Sequence, residues 1–297
     1  MKKALCLLLA ILFLPLLPVA AEAEITVVAS FYPIYVLAQN VLDGVEGVKL
    51  SSMTAPTTGC LHDYQLLTSD MRALSKATAL LVNGAGMEGF LPDLQKQLPQ
   101  LPIVDCSQGI ELICEENHDH DHHDHGTNNA HIWLDPQNAV LMVRNMSAAL
   151  SDLLPEHEEI IQQNTENYIA RLMTLDTEMA EAIALLPCKT IVTFHEAFPY
   201  FAQAYGLEVA AVVALEPDEP ISPRMLAEVV KTIKQAGNPP LFTEPQYDSA
   251  ALSAIQQETG APVFELDPMV TGDGALTAYE DTMRKNLSVL QQALGGK

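Results

Sequence analysis

Positive charge is scarce in this chain: 15 Lys and Arg stand against 38 Asp and Glu, a formal net charge of −23. A polyanion repels phosphate backbones and gathers cations at its surface, so nucleic acid is excluded as a partner and a cationic ligand is admitted. The same acidity also serves solubility. Long apolar runs are nearly missing as well. One runs from Ala4 to Leu17, behind Lys2 and Lys3, and ends in the small-residue stretch Val19 to Ala23. It is shorter than the ~20 residues of a membrane span. Residues 1–23 therefore read as a secretory signal peptide, cleaved after Ala21-Glu22-Ala23 so that the mature chain starts near Glu24. Cys6 lies at the start of the apolar run and no cysteine follows it closely. A free, periplasmic, monomeric protein without a lipid anchor is expected.

Other absences narrow the chemistry. No two cysteines are spaced C-x-x-C, which argues against a structural thiolate zinc site. Four cysteines remain beyond the leader, Cys60, Cys106, Cys114 and Cys188. They allow three pairings, of which Cys106 with Cys114 is favoured by closeness in the chain. His195-Glu196 is followed by Ala197-Phe198-Pro199, so there is no H-E-x-x-H helix, and no G-x-S-x-G elbow occurs.

What is present is an alternation of short β-branched runs with helical patterns, repeated twice. It predicts an α/β protein of two lobes with parallel four-stranded sheets. The first lobe takes strands at Ile25 to Ser30, Val48 to Met53, Ala79 to Asn83 and Ile103 to Asp105, with helices near Ile34 to Leu42, Ser69 to Lys76 and Glu88 to Leu98. The second takes strands at Thr190 to Phe194, Val209 to Leu215, Leu241 to Thr243 and Val263 to Leu266. Ser222-Pro223 reads as a helix cap followed by proline at the first helical position, and Ser249 opens another helix. Asn138 to Leu186 is almost continuously helical, broken by Pro155. Expected boundaries are a lobe over 24–154, a stiff linker helix over 155–186 on the order of 48 Å long, and a second lobe over 187–297.

Histidines mark the chemistry. His62 follows the second strand, His131 begins His131-Ile132-Trp133-Leu134-Asp135-Pro136, and His195 ends the fifth strand. Ligands of open α/β sheets bind beyond the carboxyl ends of strands, so these residues converge if the lobes face each other. Three neutral imidazoles suit Zn²⁺ and leave a fourth tetrahedral position. Taken singly, each histidine is as readily a packing or capping residue. Asn117 to His125 holds five histidines and three aspartates in nine positions. This tract, with His118, His120, His122, His123 and His125, reads as a polar loop that binds metal weakly.

These residues resemble the zinc-uptake, ZnuA-like branch of the cluster A-I substrate-binding proteins of ABC transporters. The stretches that carry the likeness are Ile25 to Tyr35, Leu80 to Phe90, His131 to Pro136, Thr193 to Gly206, Phe242 to Gln246 and Glu265 to Pro268. The resemblance implies two Rossmann-like lobes joined by a rigid helix, Zn²⁺ held at their interface by His62, His131 and His195, and a membrane permease as receiver. Zinc is preferred to manganese because the manganese-binding relatives place two carboxylates in the site and hard oxygen ligands suit Mn²⁺. Leu61 stands where many relatives have proline, and Val270 where some supply a carboxylate. The fourth ligand is then water, with Asp267 and Glu244 as candidates to reach the metal or orient a histidine. Glu196 and Asp135 are expected to support neighbouring histidines or cap helices, and Tyr64, Trp133, Phe198 and Phe201 to form apolar wall or core. Two rivals remain: a zinc-dependent hydrolase, and a zinc buffer working through the histidine-rich loop.

Overall fold

The computed structural model describes residues 25–55, 61, 64–114, 128–213, 222–245 and 250–296. The first sheet holds β1 (Ile25–Ala29), β2 (Val48–Ser52), β3 (Ala79–Val82) and β4 (Ile103–Asp105), interleaved with α1 (Tyr32–Val41), α2 (Thr68–Leu74) and α3 (Leu91–Gln97). Two long helices follow, α4 (Pro136–Leu153) and α5 (Glu158–Ala184). The second sheet holds β5 (Thr190–Thr193), β6 (Glu208–Val212), β7 (Leu241–Thr243) and β8 (Val263–Glu265), with α6 (Pro199–Tyr205), α7 (Pro223–Gln235), α8 (Ala250–Thr259) and α9 (Ala278–Leu294) around it. Both sheets are wholly parallel and share one topology, β2-β1-β3-β4 and β6-β5-β7-β8. In each, the strand order reverses between the two central strands, which opens a crevice at their carboxyl ends.

Local chemistry sets the helix ends. Asp135 caps α4 by accepting from Gln137 N, Ser222 caps α7 by accepting from Met225 N, and each is followed by proline in the first turn. The α8 start expected at Ser249 lies outside the described residues. Pro155 begins a short 3-10 turn, Pro155–His157, before α5 starts at Glu158. The linker helix is therefore shorter than the expected span, with 27 residues and a length of about 40 Å.

That linker is embedded along its length. Ile161, Thr165, Tyr168, Leu172, Leu175, Met179 and Ile183 recur at spacings of three and four and form its buried face. They pack against α1, α4, α6 and α9. The largest apolar core runs through both lobes, joining Phe31, Leu37, Trp133, Leu172, Phe201 and Tyr279. Smaller clusters lie on the far side of each sheet, Val28 with Leu80 and Leu94 in one lobe and Val192 with Ile233 and Ile255 in the other. Polar pins also cross between lobes: Trp133 Nε1 donates to Pro268 O at 2.9 Å, Tyr279 Oη to Trp133 O at 2.7 Å, and Asn40 Nδ2 to Leu276 O at 3.0 Å.

The favoured disulfide does not form. Cys106 is buried after β4 with its thiol directed to Val104 O at 3.8 Å, while Cys114 is exposed and meets Asn128 Oδ1 at 3.7 Å. The chain turns over residues 107–110 and carries the second thiol away from the core that holds the first. Cys188 is exposed and unbridged, and Cys60 lies outside the described residues. No helix among the described residues is long and apolar enough to cross a membrane.

Candidate metal centre

His195 directly follows Phe194 at the carboxyl end of β5, and Glu244 directly follows β7, its hydrogen-bonded neighbour. These two positions flank the crevice of the second lobe. Glu244 is almost fully buried, and its Oε1 lies 2.8 Å from His195 Nδ1. A carboxylate only accepts, so this contact puts the proton on Nδ1 and leaves Nε2 as the nitrogen with the lone pair.

His131 comes from the other lobe, at the entrance to a 3-10 turn, Ile132–Leu134, that leads into α4. It is 1% exposed. Its ring stands edge-on to that of His195, with centroids 4.8 Å apart and planes at 86°. Trp133 closes one side, 5.2 Å from the His131 ring. Asn129 Oδ1 accepts from His131 N at 3.0 Å and lies 3.2 Å from His131 Nδ1.

The backbone around His131 is held from the first sheet. Asn83, at the carboxyl end of β3, donates from Nδ2 to Ala130 O at 2.9 Å. Asn83 in turn is fixed by Glu88, whose Oε1 accepts from Asn83 N at 2.8 Å and Ser30 Oγ at 2.7 Å, and whose Oε2 accepts from Gly84 N at 3.1 Å. Burial pushes the Glu88 carboxyl up to about 7 even against these three hydrogen bonds. Gly84 permits the tight loop, since a Cβ there would come 1.9 Å from Asp105 Oδ1 and its φ is +78°.

The other expected residues fall as follows. His62 lies outside the described residues, between Leu61, which is fully buried, and Tyr64, whose N donates to Leu61 O at 3.1 Å. Tyr64 is half-buried and gives its hydroxyl to Asp70 Oδ2 at 2.8 Å. His118, His120, His122, His123 and His125 also lie outside the described residues, in a segment bounded by the antiparallel bridge Cys114–Asn128. Asp267 Oδ1 accepts from Met269 N at 2.8 Å, and its backbone is bonded twice to Asn286. It thereby fixes the turn that offers Pro268 O to Trp133, rather than bonding either histidine. Desolvation raises its pKa. Asp135 is a helix cap, and Glu196 contributes its carbonyl to Asn129 Nδ2 at 2.7 Å. Val270 is buried. Among the described residues no three His, Cys, Asp or Glu side chains gather closely enough to hold a metal, so the described centre is a pair of imidazoles and their supports. Asn129 and Asn83 were not found by sequence reasoning.

Fold and site together define a two-lobed α/β protein whose lobes meet at two histidines. The family model of ZnuA, the periplasmic component A of the zinc-uptake complex, matches residues 27–293, and the chain belongs to that family. The zinc-binding protein AdcA of Streptococcus pyogenes serotype M1 is 30% identical over 294 residues, covering 92% of this chain and 56% of AdcA. This chain thus spans about half the length of the curated AdcA relatives it matches. The manganese ABC transporter substrate-binding lipoprotein PsaA of Streptococcus mitis is 25% identical over 245 residues, 78% of each chain. The crystal structure of the Zn(II)-bound ZnuA-like domain of Streptococcus pneumoniae AdcA superposes with a TM-score of 0.78 at 25% identity, covering 92% of this chain and all of that one.

Proposed function

We propose that this protein is the extracytoplasmic substrate-binding component of a zinc ABC importer, capturing Zn²⁺ between its lobes and handing it to the membrane permease. The observation that carries this reading is the meeting of His131 and His195 from opposite lobes, 4.8 Å between ring centroids. Each has an acceptor at Nδ1, so each turns Nε2 into the metal-binding nitrogen. His62 is the third ligand and water the fourth, with Glu244 orienting His195 and Asp267 serving the turn beside the site. The zinc-binding relatives and the Zn(II)-bound neighbour support this choice of ion.

Residues 24–154 and 187–297 act as the two lobes and 155–186 as the linker. Residues 1–23 direct export to the periplasm, where the protein works as a monomer, without enzymatic turnover and without nucleic acid. The histidines of 118–125 add weak sites that gather ions.

The match to PsaA keeps manganese as the second reading. Competition calorimetry separates the two. Wild type is expected to bind one Zn²⁺ far more tightly than Mn²⁺, and alanine at His62, His131 or His195 to weaken zinc by orders of magnitude, because two imidazoles do not complete a tetrahedron. Removing 118–125 is expected to abolish weak sites and spare the tight one. Tight binding lost with the loop and kept in the three alanine variants overturns the assignment.

A further inference from the structure

Asn129 touches both lobes at once. Its Oδ1 accepts from the backbone N–H of His131 at 3.0 Å and lies 3.2 Å from that histidine's Nδ1. Its Nδ2 donates to the carbonyl of Glu196, next to His195 in the second lobe, at 2.7 Å. The side chain is 1% exposed. The rest of the residue is equally tied: Asn129 N donates to Ile113 O at 2.8 Å, and Asn129 O accepts from Tyr200 Oη at 2.9 Å. Tyr200 Oη in turn accepts from Ile113 N at 3.0 Å, which closes a small ring of bonds.

These partners fix the amide orientation without ambiguity. The His131 backbone N–H only donates, so the atom facing it is oxygen. The Glu196 carbonyl only accepts, so the opposite atom is nitrogen. An oxygen at that place requires the proton of His131 to sit on Nδ1, so one amide settles both the tautomer of one histidine and its distance from the segment carrying the other. Glu244 does only half of this task, since its contact with His195 stays within the second lobe.

We propose that Asn129 is the positioning residue of the metal centre: its amide sets the tautomer of His131 and clamps it to the His195 strand end, so that the two Nε2 atoms are aligned before metal arrives. This rests on the reading of the histidines as zinc ligands. It predicts a site with little reorganisation on binding, whose affinity depends on a residue that is not itself a ligand.

The test uses Asn129→Asp and Asn129→Leu in the otherwise intact chain, read in two ways. The first is zinc affinity by chelator competition. Asn129→Asp keeps the acceptor for His131 but turns the donor to Glu196 O into a repelling oxygen, and a loss of about 10- to 100-fold is expected, as for other residues that support ligands. Asn129→Leu is expected to lose at least as much. The second is the ¹⁵N ring-shift pattern of His131 in metal-free protein at a pH where the ring is neutral. Wild type and Asn129→Asp are expected to show the proton on Nδ1, and Asn129→Leu a mixture of tautomers. General loosening of the fold would lower the melting temperature, so the tautomer is compared at temperatures equally far below each variant's melting point. Unchanged zinc affinity in Asn129→Asp, or an unchanged tautomer in Asn129→Leu, overturns the proposal. If Asn129→Leu does not fold, the Asn129→Asp affinity alone decides. Should wild type bind no zinc, the receptor reading fails, and the tautomer pattern still decides whether Asn129 holds His131.

Discussion

Buried Glu244 and half-buried His195 form a carboxylate–imidazole pair at the ends of adjacent strands, with 2.8 Å between Oε1 and Nδ1. The carboxylate makes the imidazole a stronger donor towards metal and fixes its ring plane. Glu244→Ala is expected to weaken zinc by about 10- to 100-fold, and Glu244→Gln by less, because an amide oxygen still accepts from Nδ1. Zinc affinity of the wild type is expected to fall as pH drops through the ordinary imidazole range near ~6.5, since a protonated ring has no lone pair to give. Calorimetry between pH 5 and 8 checks both; a flat profile would count against histidine ligation.

Glu88 predicts a pH-dependent stability. Its carboxyl is raised to about 7 in the folded protein by burial, above the ordinary glutamate value of 4.5. The folded state therefore binds the extra proton between those values, so this contribution is fully present below about 4.5 and is lost as pH rises through about 7. The full span is on the order of 3 kcal/mol. Denaturant midpoints at pH 5 and 8 should show the trend in wild type, and Glu88→Gln should flatten it. A wild-type slope retained in the variant assigns the effect elsewhere.

Trp133 pins the lobes through Pro268 O and packs edge-on against Phe31 with centroids 5.2 Å apart. Trp133→Phe removes the donor, strands a buried carbonyl and opens space, for a cost of about 2–4 kcal/mol. Tyr279→Phe strands the Trp133 carbonyl but opens almost no space, and is expected to cost less, about 1–2 kcal/mol. Urea unfolding ranks the two, and the reverse order would remove Trp133 from its place as the main pin.

Much of the architecture was legible because strand and helix signals were local. β4 and β7 have the bounds read from the chain, Ile103–Asp105 and Leu241–Thr243, since each is a short apolar or β-branched run ending at a polar residue. Ser222-Pro223 announced α7 through cap chemistry. His131 and His195 could be singled out because imidazoles at strand and turn ends are conspicuous. Asn129 could not, for nothing local separates it from Asn128; its role comes from Glu196 and Tyr200, residues 67 and 71 positions away. The cysteine pairing failed for the related reason that proximity in the chain says nothing of which thiol enters the core. Asp267 was selected as a carboxylate near the site, yet its immediate need is to satisfy Met269 N, in a turn where Met269 adopts φ +59°.

The apolar interior runs without a seam from one lobe into the other. Prising the halves apart would wet that interior, so on the proposed reading of this chain as a zinc receptor its filled and empty forms should have nearly the same outline. A transporter that must tell them apart then has to sense the rim of the cleft, because overall posture carries almost no message.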